Sequence, residues 1–245
     1  SVLEASCQLV HFARAQAQIR RGTAGVRAKI VHVGPAYSRT AMNADEWVPA
    51  RAGTYGALAL ALAHVLVRDG RHDAEFVREH CSGFEPWEGA DGRRMRGFRE
   101  ILAEYAPARV AAITGIEERE IERLAGELAS SRPSFAFGGS QEYLASNGLQ
   151  AALAIHALNA LLGAIDRPGG LLLQREPPLK DWPELELDEI ASAGMARPAL
   201  CTRKGADPAW DRPALDYLPL AILASAEPPR AAFLYYANPL YARAE

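Results

Sequence analysis

The feature that most constrains this chain is a β-branched run that closes on a Gly-Pro turn and is followed by helical periodicity. Ala28-Lys29-Ile30-Val31-His32-Val33 ends at Gly34-Pro35, which predicts a strand with a tight turn at its carboxyl end. Glu46-Trp47-Val48-Pro49 predicts a second short strand, and Gly53-Thr54-Tyr55-Gly56 leads into a strong helix over 57–68, closed by Asp69-Gly70. Ahead of the first strand, residues 7–21 carry an apolar stripe at helical spacing that ends in basic residues and Gly22. Strands that alternate with helices in this way predict a parallel sheet wound with helices.

The middle third predicts helices over 73–80, 97–105, 107–113 and 118–130. In the last of these, Ile121, Leu124, Ala125 and Leu128 form the dry face, and Glu120, Glu122, Arg123 and Glu127 the wet one. Residues 133–137 then predict a strand and Gly138-Gly139-Ser140-Gln141 a loop. Asn147 stands at the cap position of a long helix over 148–162, with a turn-rich loop over 163–170. From 171 to 213 prolines and charges are scattered without period, which predicts an extended excursion. Residues 216–226 return as a helix and 231–237 as a buried strand.

Several classes of function are excluded by composition. A net charge of −3 and a pI near 6.1 lack the basic footprint of a nucleic-acid binder. The longest apolar run, 57–67, is too short to span a bilayer and contains His64, so it reads as a buried helix. Cys7, Cys81 and Cys201 lie far apart, with no CxxC and no His pair at metal spacing, so they read as ordinary thiols. No G-x-S-x-G marks a serine hydrolase. The dispersed histidines lack partners at readable spacing, and His64 and His156, inside helices, read as packing residues. Glu117, Glu118 and Glu120 favour a helix start, and Arg93, Arg94, Arg96 and Arg99 read as surface. The chain has no initiator Met and no leader, and it stops just after Asn238-Pro239, which suggests a piece of a longer polypeptide.

Chemistry is then expected at three strand-to-loop junctions: Val33-Gly34-Pro35, Phe137-Gly138-Gly139-Ser140-Gln141 and Ala237-Asn238-Pro239. In open α/β sheets ligands bind beyond the carboxyl ends of the strands, where small residues admit a phosphate or ribose. A helix that starts just past Gly53-Thr54 would offer free N–H groups to an anion. None of these is a GxGxxG, so the residues alone reach only a nucleotide-like ligand.

The order of the pieces resembles the molybdopterin oxidoreductases of the dimethyl-sulfoxide-reductase type. Asn43-Ala44-Asp45-Glu46-Trp47-Val48-Pro49, then Arg51-Ala52-Gly53-Thr54-Tyr55-Gly56-Ala57-Leu58, is similar to the family's A-D-E-W-x-P-x-R-P-G-T-D-x-A-L stretch. Phe76-Val77 with Gly83-Phe84 follows. After these come Val110 to Gly115, Ile121 to Leu128 and Arg132-Pro133. Asn147-Gly148, Leu158-Asn159, Gly163 and Pro168-Gly169-Gly170 come next, and Asn238-Pro239 resembles the family's G-x-N-P loop.

The resemblance implies an α/β fold with a Rossmann-like parallel sheet and helices on both faces, as part of a larger multidomain subunit. It implies residues 1–170 as the dinucleotide domain, 171–215 as the excursion, and 216–245 as a return to an adjacent α/β domain. The implied cofactor is molybdopterin guanine dinucleotide with molybdenum or tungsten, with any iron–sulfur cluster upstream of this chain. Carried over by position, the cofactor-binding residues are Gly34, Ser38, Gly53, Thr54, Tyr55, Gly139, Ser140, Gln141 and Asn238. No residue here is implied as catalytic or metal-ligating, so the piece alone is expected to be inactive. Implied partners are the rest of the same large subunit, an iron–sulfur electron-transfer subunit and a membrane anchor. The closest branch in flavour is that of the tetrathionate, thiosulfate and polysulfide reductases, with a periplasmic or membrane-peripheral setting.

Two departures bear on the site. Where the family carries Asp-Pro-Arg after the first strand, this chain has Gly34-Pro35-Ala36, and where it carries Asp after Gly-Thr, this chain has Tyr55. Each lost carboxylate removes charge-assisted acceptance of roughly 1.5–3 kcal/mol. Two alternatives stay open: a modified mode of binding, or an empty pocket in a cofactor-free structural subunit of a redox complex. An unrelated nucleotide-binding α/β domain is a third.

Overall fold

The computed structural model describes residues 3, 9–22, 27–138, 146–175, 178–180, 186–196 and 222. The chain divides into two compact units, Ser1–Arg175 and Glu176–Glu245. In chain order the first contains α1 (Leu9–Arg21), β1 (Val31–Gly34), α2 (Arg39–Met42), β2 (Glu46–Pro49), α3 (Tyr55–Arg68) and α4 (Ala74–His80). A small hairpin, β3 (Trp87–Glu88) and β4 (Arg94–Met95), precedes α5 (Phe98–Leu102), a 3₁₀ turn (Ala103–Tyr105), α6 (Pro107–Thr114), α7 (Glu118–Ser130) and α8 (Gly148–Leu161). Of the second unit the described element is α9 (Glu189–Met195).

β1 and β2 pair in parallel, with Val31 opposite Glu46 and Gly34 opposite Pro49. Their carboxyl ends therefore lie together. The first strand starts later than its β-branched run because residue 30 is already spent on the turn before β2. Ile30 donates to an Asp45 carboxylate oxygen (2.8 Å), and its carbonyl accepts from Asp45 N (2.8 Å).

The core forms around α3. Its only polar side chains beyond Tyr55 are His64 and Arg68, so it is suited to burial nearly all round. Leu58, Ala59, Ala61, Leu62, Ala63, Val65 and Leu66 are all buried. Val110 of α6, Ile121, Leu124 and Ala125 of α7, and Leu158 and Leu161 of α8 complete the same cluster. His64 is a packing residue, as its helical position suggested: Nδ1 meets the Leu102 carbonyl at 2.8 Å. His156, by contrast, is exposed on α8. The α7 face matches the sequence pattern, and the acids on its wet side are paired rather than idle.

α3 and α8 run parallel, which follows from contacts at both ends. At their starts Asn147 Nδ2 donates to the Gly53 carbonyl (3.1 Å), and Gly56 lies against the Ala151 backbone. Just beyond their far ends, Asp73 N donates to the Leu161 carbonyl (2.7 Å).

The expected strand over 133–137 is not formed. Instead, both polar groups of the Ala136 backbone bond to one side chain. Its N–H donates to Asn159 Oδ1, and its carbonyl accepts from Asn159 Nδ2, each at 2.7 Å. An amide offers the same donor and acceptor pair as a neighbouring strand, so the segment is satisfied without a ladder. α9 interrupts the expected excursion and carries a local cap: Asp188 Oδ1 accepts from Ala191 N (2.7 Å). The helix expected over 216–226, apart from residue 222, and the strand over 231–237 lie outside the described residues. Among the described residues no helix is long and apolar enough to cross a membrane, and no group of three or more His, Cys, Asp or Glu side chains could hold a metal. Of the three thiols, Cys81 is free, with burial pushing its pKa up; Cys7 and Cys201 are outside the described residues.

A charge network ties α7 to the β1–β2 pair. Lys29 reaches Glu46 (2.6 Å) and Glu127 (2.7 Å), and Arg123 reaches Glu46, Glu120 and Glu127. The Arg123 bond lowers the Glu120 carboxyl, and the Lys29 bond, then Arg123, lowers Glu127. Acids with depressed folded values contribute stability above their unfolded range, near 4.5, and lose it as pH falls through the folded values. Because these side chains are about a third exposed, each pair is worth at most about 1 kcal/mol. Melting temperature is therefore expected to fall between about pH 5 and pH 3, less steeply in 1 M salt. Arg123→Leu should flatten that fall; an unchanged slope in the variant would remove the network from the acid response.

Candidate functional site

The site is built where the strands end and two long helices begin. At the carboxyl end of β1, the Gly34 carbonyl accepts from Trp47 Nε1 (3.0 Å) and from Ala50 N (3.4 Å). Gly34 itself is buried, and a Cβ there would meet His32 Nε2 at 3.1 Å. Its atoms shape the turn, and the neighbours present the surface. Ser38 caps α2, its Oγ accepting from Ala41 N (3.2 Å). Ser38 N in turn donates to the Ala36 carbonyl (2.9 Å), so Tyr37 is the middle residue of a three-residue turn. The Tyr37 ring lies 5.2 Å from the Trp47 ring, tilted by 58°.

From Ala50 the chain crosses to α3. Arg51 anchors this crossing to the end of α6: its N–H donates to the Thr114 carbonyl (2.9 Å) and its guanidinium to those of Ala112 (2.6 Å) and Ile113 (3.3 Å). A cation at a helix carboxyl end meets the negative pole of the dipole. Gly53 follows with φ +77, a conformation that favours glycine, and nothing lies within 4 Å of where its Cβ would stand. The backbone is therefore approachable there.

Thr54 and Asn147 occupy the cap positions of α3 and α8, yet neither side chain caps its helix. The Thr54 hydroxyl donates to the Arg51 carbonyl (2.6 Å), and the Asn147 amide donates to Gly53. Neither helix carries an acid in its first turn. The first-turn N–H groups of a helix have no intrahelical acceptor, and here the usual side-chain acceptor is turned elsewhere. Two parallel dipoles thus present positive ends side by side. Tyr55, the first residue of α3, packs partly against the core.

The structure brings Gly34, Ser38, Gly53, Thr54 and Tyr55 to this one end of the fold. Gly139, Ser140, Gln141 and Asn238 lie outside the described residues. Asn147 and Trp47 lie within the family-like motifs but outside the expected cofactor-binding set. Residue type and position both make Asn147 an expected cap, whereas its acceptor, Gly53, is remote in sequence. The arginines 93, 94, 96 and 99 are exposed and ion-paired with Asp91, Glu100, Glu104 and Glu85, which leaves them as surface residues.

Parallel strand ends followed by a helix start that its own cap residue leaves uncapped, with a second such start beside it, define an α/β module suited to an anionic, nucleotide-like ligand. The chain belongs to the molybdopterin oxidoreductase family, whose model matches residues 7–200. It is 34% identical over 184 residues to the arsenate respiratory reductase molybdopterin-containing subunit ArrA of Chrysiogenes arsenatis, covering 69% of this chain and 21% of that protein. It is 32% identical over 216 residues to the menaquinone reductase molybdopterin-binding-like subunit of Nitratidesulfovibrio vulgaris, covering 88% of this chain and 26% of the relative. Among solved structures it resembles acetylene hydratase from Pelobacter acetylenicus, with TM-score 0.53 and 29% identity over 62% of this chain and 19% of that one. The chain thus spans about a fifth to a quarter of the length of these curated relatives.

Proposed function

We propose that this chain is the dinucleotide-cradling segment of a respiratory molybdopterin oxidoreductase subunit, and that it positions the cofactor without ligating the metal. The observation that carries this reading is the pair of parallel helix N-termini of α3 and α8, whose cap residues Thr54 and Asn147 make no side-chain cap bond and which are joined through Asn147 and Gly53. The residues present fit a diphosphate: open backbone at Gly53, first-turn N–H groups, and no carboxylate in either first turn to repel it. Thr54 and Tyr55 border the same end, Ser38 fixes the loop after β1, and Gly34 shapes its turn. Gly139, Ser140, Gln141 and Asn238 are proposed as further cofactor-binding residues by their motif positions alone.

The bound group, molybdopterin guanine dinucleotide with molybdenum or tungsten, would supply the two-electron redox chemistry. This chain's part is to neutralise the diphosphate charge with backbone N–H groups and to hold the guanosine end at the strand ends. Residues 1–170 form the dinucleotide domain in this proposal, with 171–215 an excursion and 216–245 the return to the next domain. An iron–sulfur subunit and a membrane anchor are its proposed partners, with the cluster motif upstream.

Metal analysis and released-pterin fluorescence on the full-length subunit test this. Molybdenum or tungsten near one per subunit is expected, and reproducible absence after proper maturation would overturn it. Thr54→Asp sharpens the test, because its effects on the fold and on the cofactor separate. An acid at the cap suits the helix dipole and offsets the lost hydroxyl bond to the Arg51 carbonyl, so melting temperature should change little, while the same charge repels a diphosphate and cofactor content should fall. A parallel rise or fall of both quantities would contradict the anion cradle.

One observation favours a second reading, a cofactor-free structural subunit. The relative matched over 88% of this chain is named molybdopterin-binding-like, and Gly34 and Tyr55 replace the two family carboxylates. The same metal and pterin measurement decides between the two.

A further inference from the structure

Arg51 stands just ahead of Gly53, Thr54 and Tyr55 and outside the expected cofactor-binding set, yet backbone and side chain alike are tied down. Its N–H and its guanidinium together reach the last three carbonyls of α6, those of Thr114, Ala112 and Ile113. Its own carbonyl accepts twice from Thr54, from the hydroxyl at 2.6 Å and from the N–H at 3.3 Å. The last carbonyls of a helix have no intrahelical donor, so one guanidinium closes the end of α6 and fastens the crossing at the same time. The side chain is exposed, and such surface bonds add little to the stability of a fold. What they do restrain is the turn that follows. Gly53 has the most backbone freedom to lose, and nothing lies within 4 Å of its Cβ position to hold it. Asn147 fixes its carbonyl from the α8 side, and Arg51 fixes the approach from the α6 side.

We propose that Arg51 is a positioning residue of the cradle. Through its tether to α6 it keeps the Gly53–Thr54 backbone in the shape that receives the diphosphate, and so sets how long the cofactor is retained, without serving as a ligand. This rests on the cofactor-cradling reading above. A turn that is already ordered loses less conformational entropy on binding, which slows release more than it strengthens the fold.

Two measurements on the full-length subunit test the assignment: amide exchange in the cofactor-free form, and the rate of pterin release from the loaded form. Arg51→Met keeps the stem and the backbone bond to Thr114 but removes the guanidinium. Exchange at position 51 and at Thr54 should rise roughly tenfold, and pterin release by a similar factor. Exchange at Ile121 and Leu124 in α7 should not change, and melting temperature should stay within about 3 °C of wild type. Arg51→Lys, which can hold one carbonyl but not two, is expected between wild type and the methionine variant and serves alone if the latter does not fold. Faster exchange with unchanged release would make the tether purely structural and overturn the positioning role. Faster release with unchanged exchange would mean that the charge itself meets the cofactor, and would overturn it equally. A uniform rise in exchange through α7 would reduce Arg51 to a general stabiliser. Each of these outcomes leaves the cradle intact, whereas a wild-type subunit that holds no pterin overturns both readings.

Discussion

Replacing Asn159 by Ala should lower stability by roughly 3–5 kcal/mol, a drop in melting temperature on the order of 10 °C. Asn159 is fully buried, with 0% of its surface exposed, and its amide satisfies both polar groups of Ala136 at 2.7 Å. Truncation leaves a buried hole and strips a partly buried N–H and carbonyl of their partners together. Only one side of the interaction is removed, so the desolvation cost of Ala136 stays. Asn159→Leu should fare little better than Ala, because it fills the volume but bonds nothing. Asn159→Asp should be the worst, since it keeps the acceptor but turns a carboxylate oxygen towards the Ala136 carbonyl in the core. Thermal melts of the four proteins, with amide exchange at Ala136, check this. A leucine variant as stable as wild type would mean that the 134–138 segment is held by something other than Asn159.

That side chain also shows where sequence reading reaches its limit. The helices were legible because their evidence is local: the period of Ile121, Leu124 and Ala125, or the unbroken apolar surface of α3, lies within one element. β2 was legible from four residues for the same reason. The 133–137 segment has strand composition, yet whether it becomes a strand depends on what faces its backbone, and that is a residue 23 positions away. In the sequence Asn159 is only the second residue of a Leu-Asn motif. Nothing in its neighbours says that its amide stands in for a ladder.

The same non-locality governs the site. Thr54 and Asn147 are good capping residues in capping positions, and local rules assign them to their own helices. Thr54 instead turns back on the Arg51 carbonyl three residues earlier, and a tertiary contact redirects Asn147 to Gly53. The result is a helix pair whose own cap residues do not cover their N-termini. Position along the chain was enough to bring Gly34, Gly53 and Thr54 into the candidate set. That Gly34 is closed over and Gly53 open follows from His32 and from the course of the Arg51 anchor, neither of which is read from the motif.

The pairing of these two helix starts depends on how closely α3 and α8 approach, and Gly56 sets that distance. A Cβ at Gly56 would stand 2.8 Å from Ala151 Cα and 3.1 Å from its Cβ. The first of these is backbone, so no rotamer change relieves it and the helices must part. Gly→Ala in a helix interior ordinarily gains up to about 1 kcal/mol, and that is the expected sign for Gly126→Ala on α7, where the nearest atom is the flexible tip of Arg71 at 3.6 Å. At Gly56 the clash should outweigh the gain and leave a net loss of about 1–2 kcal/mol, with Gly56→Leu losing more than about 3. Ala151→Gly should rescue Gly56→Ala in part, because it removes the Cβ contact but not the Cα one, and the double-mutant cycle should report coupling. Parting the helices also stretches the Asn147–Gly53 bond, so cofactor content should fall further than the melt alone implies. A Gly56→Ala subunit that melts like wild type would show that the helices separate freely, and the paired N-termini would then lose their structural basis.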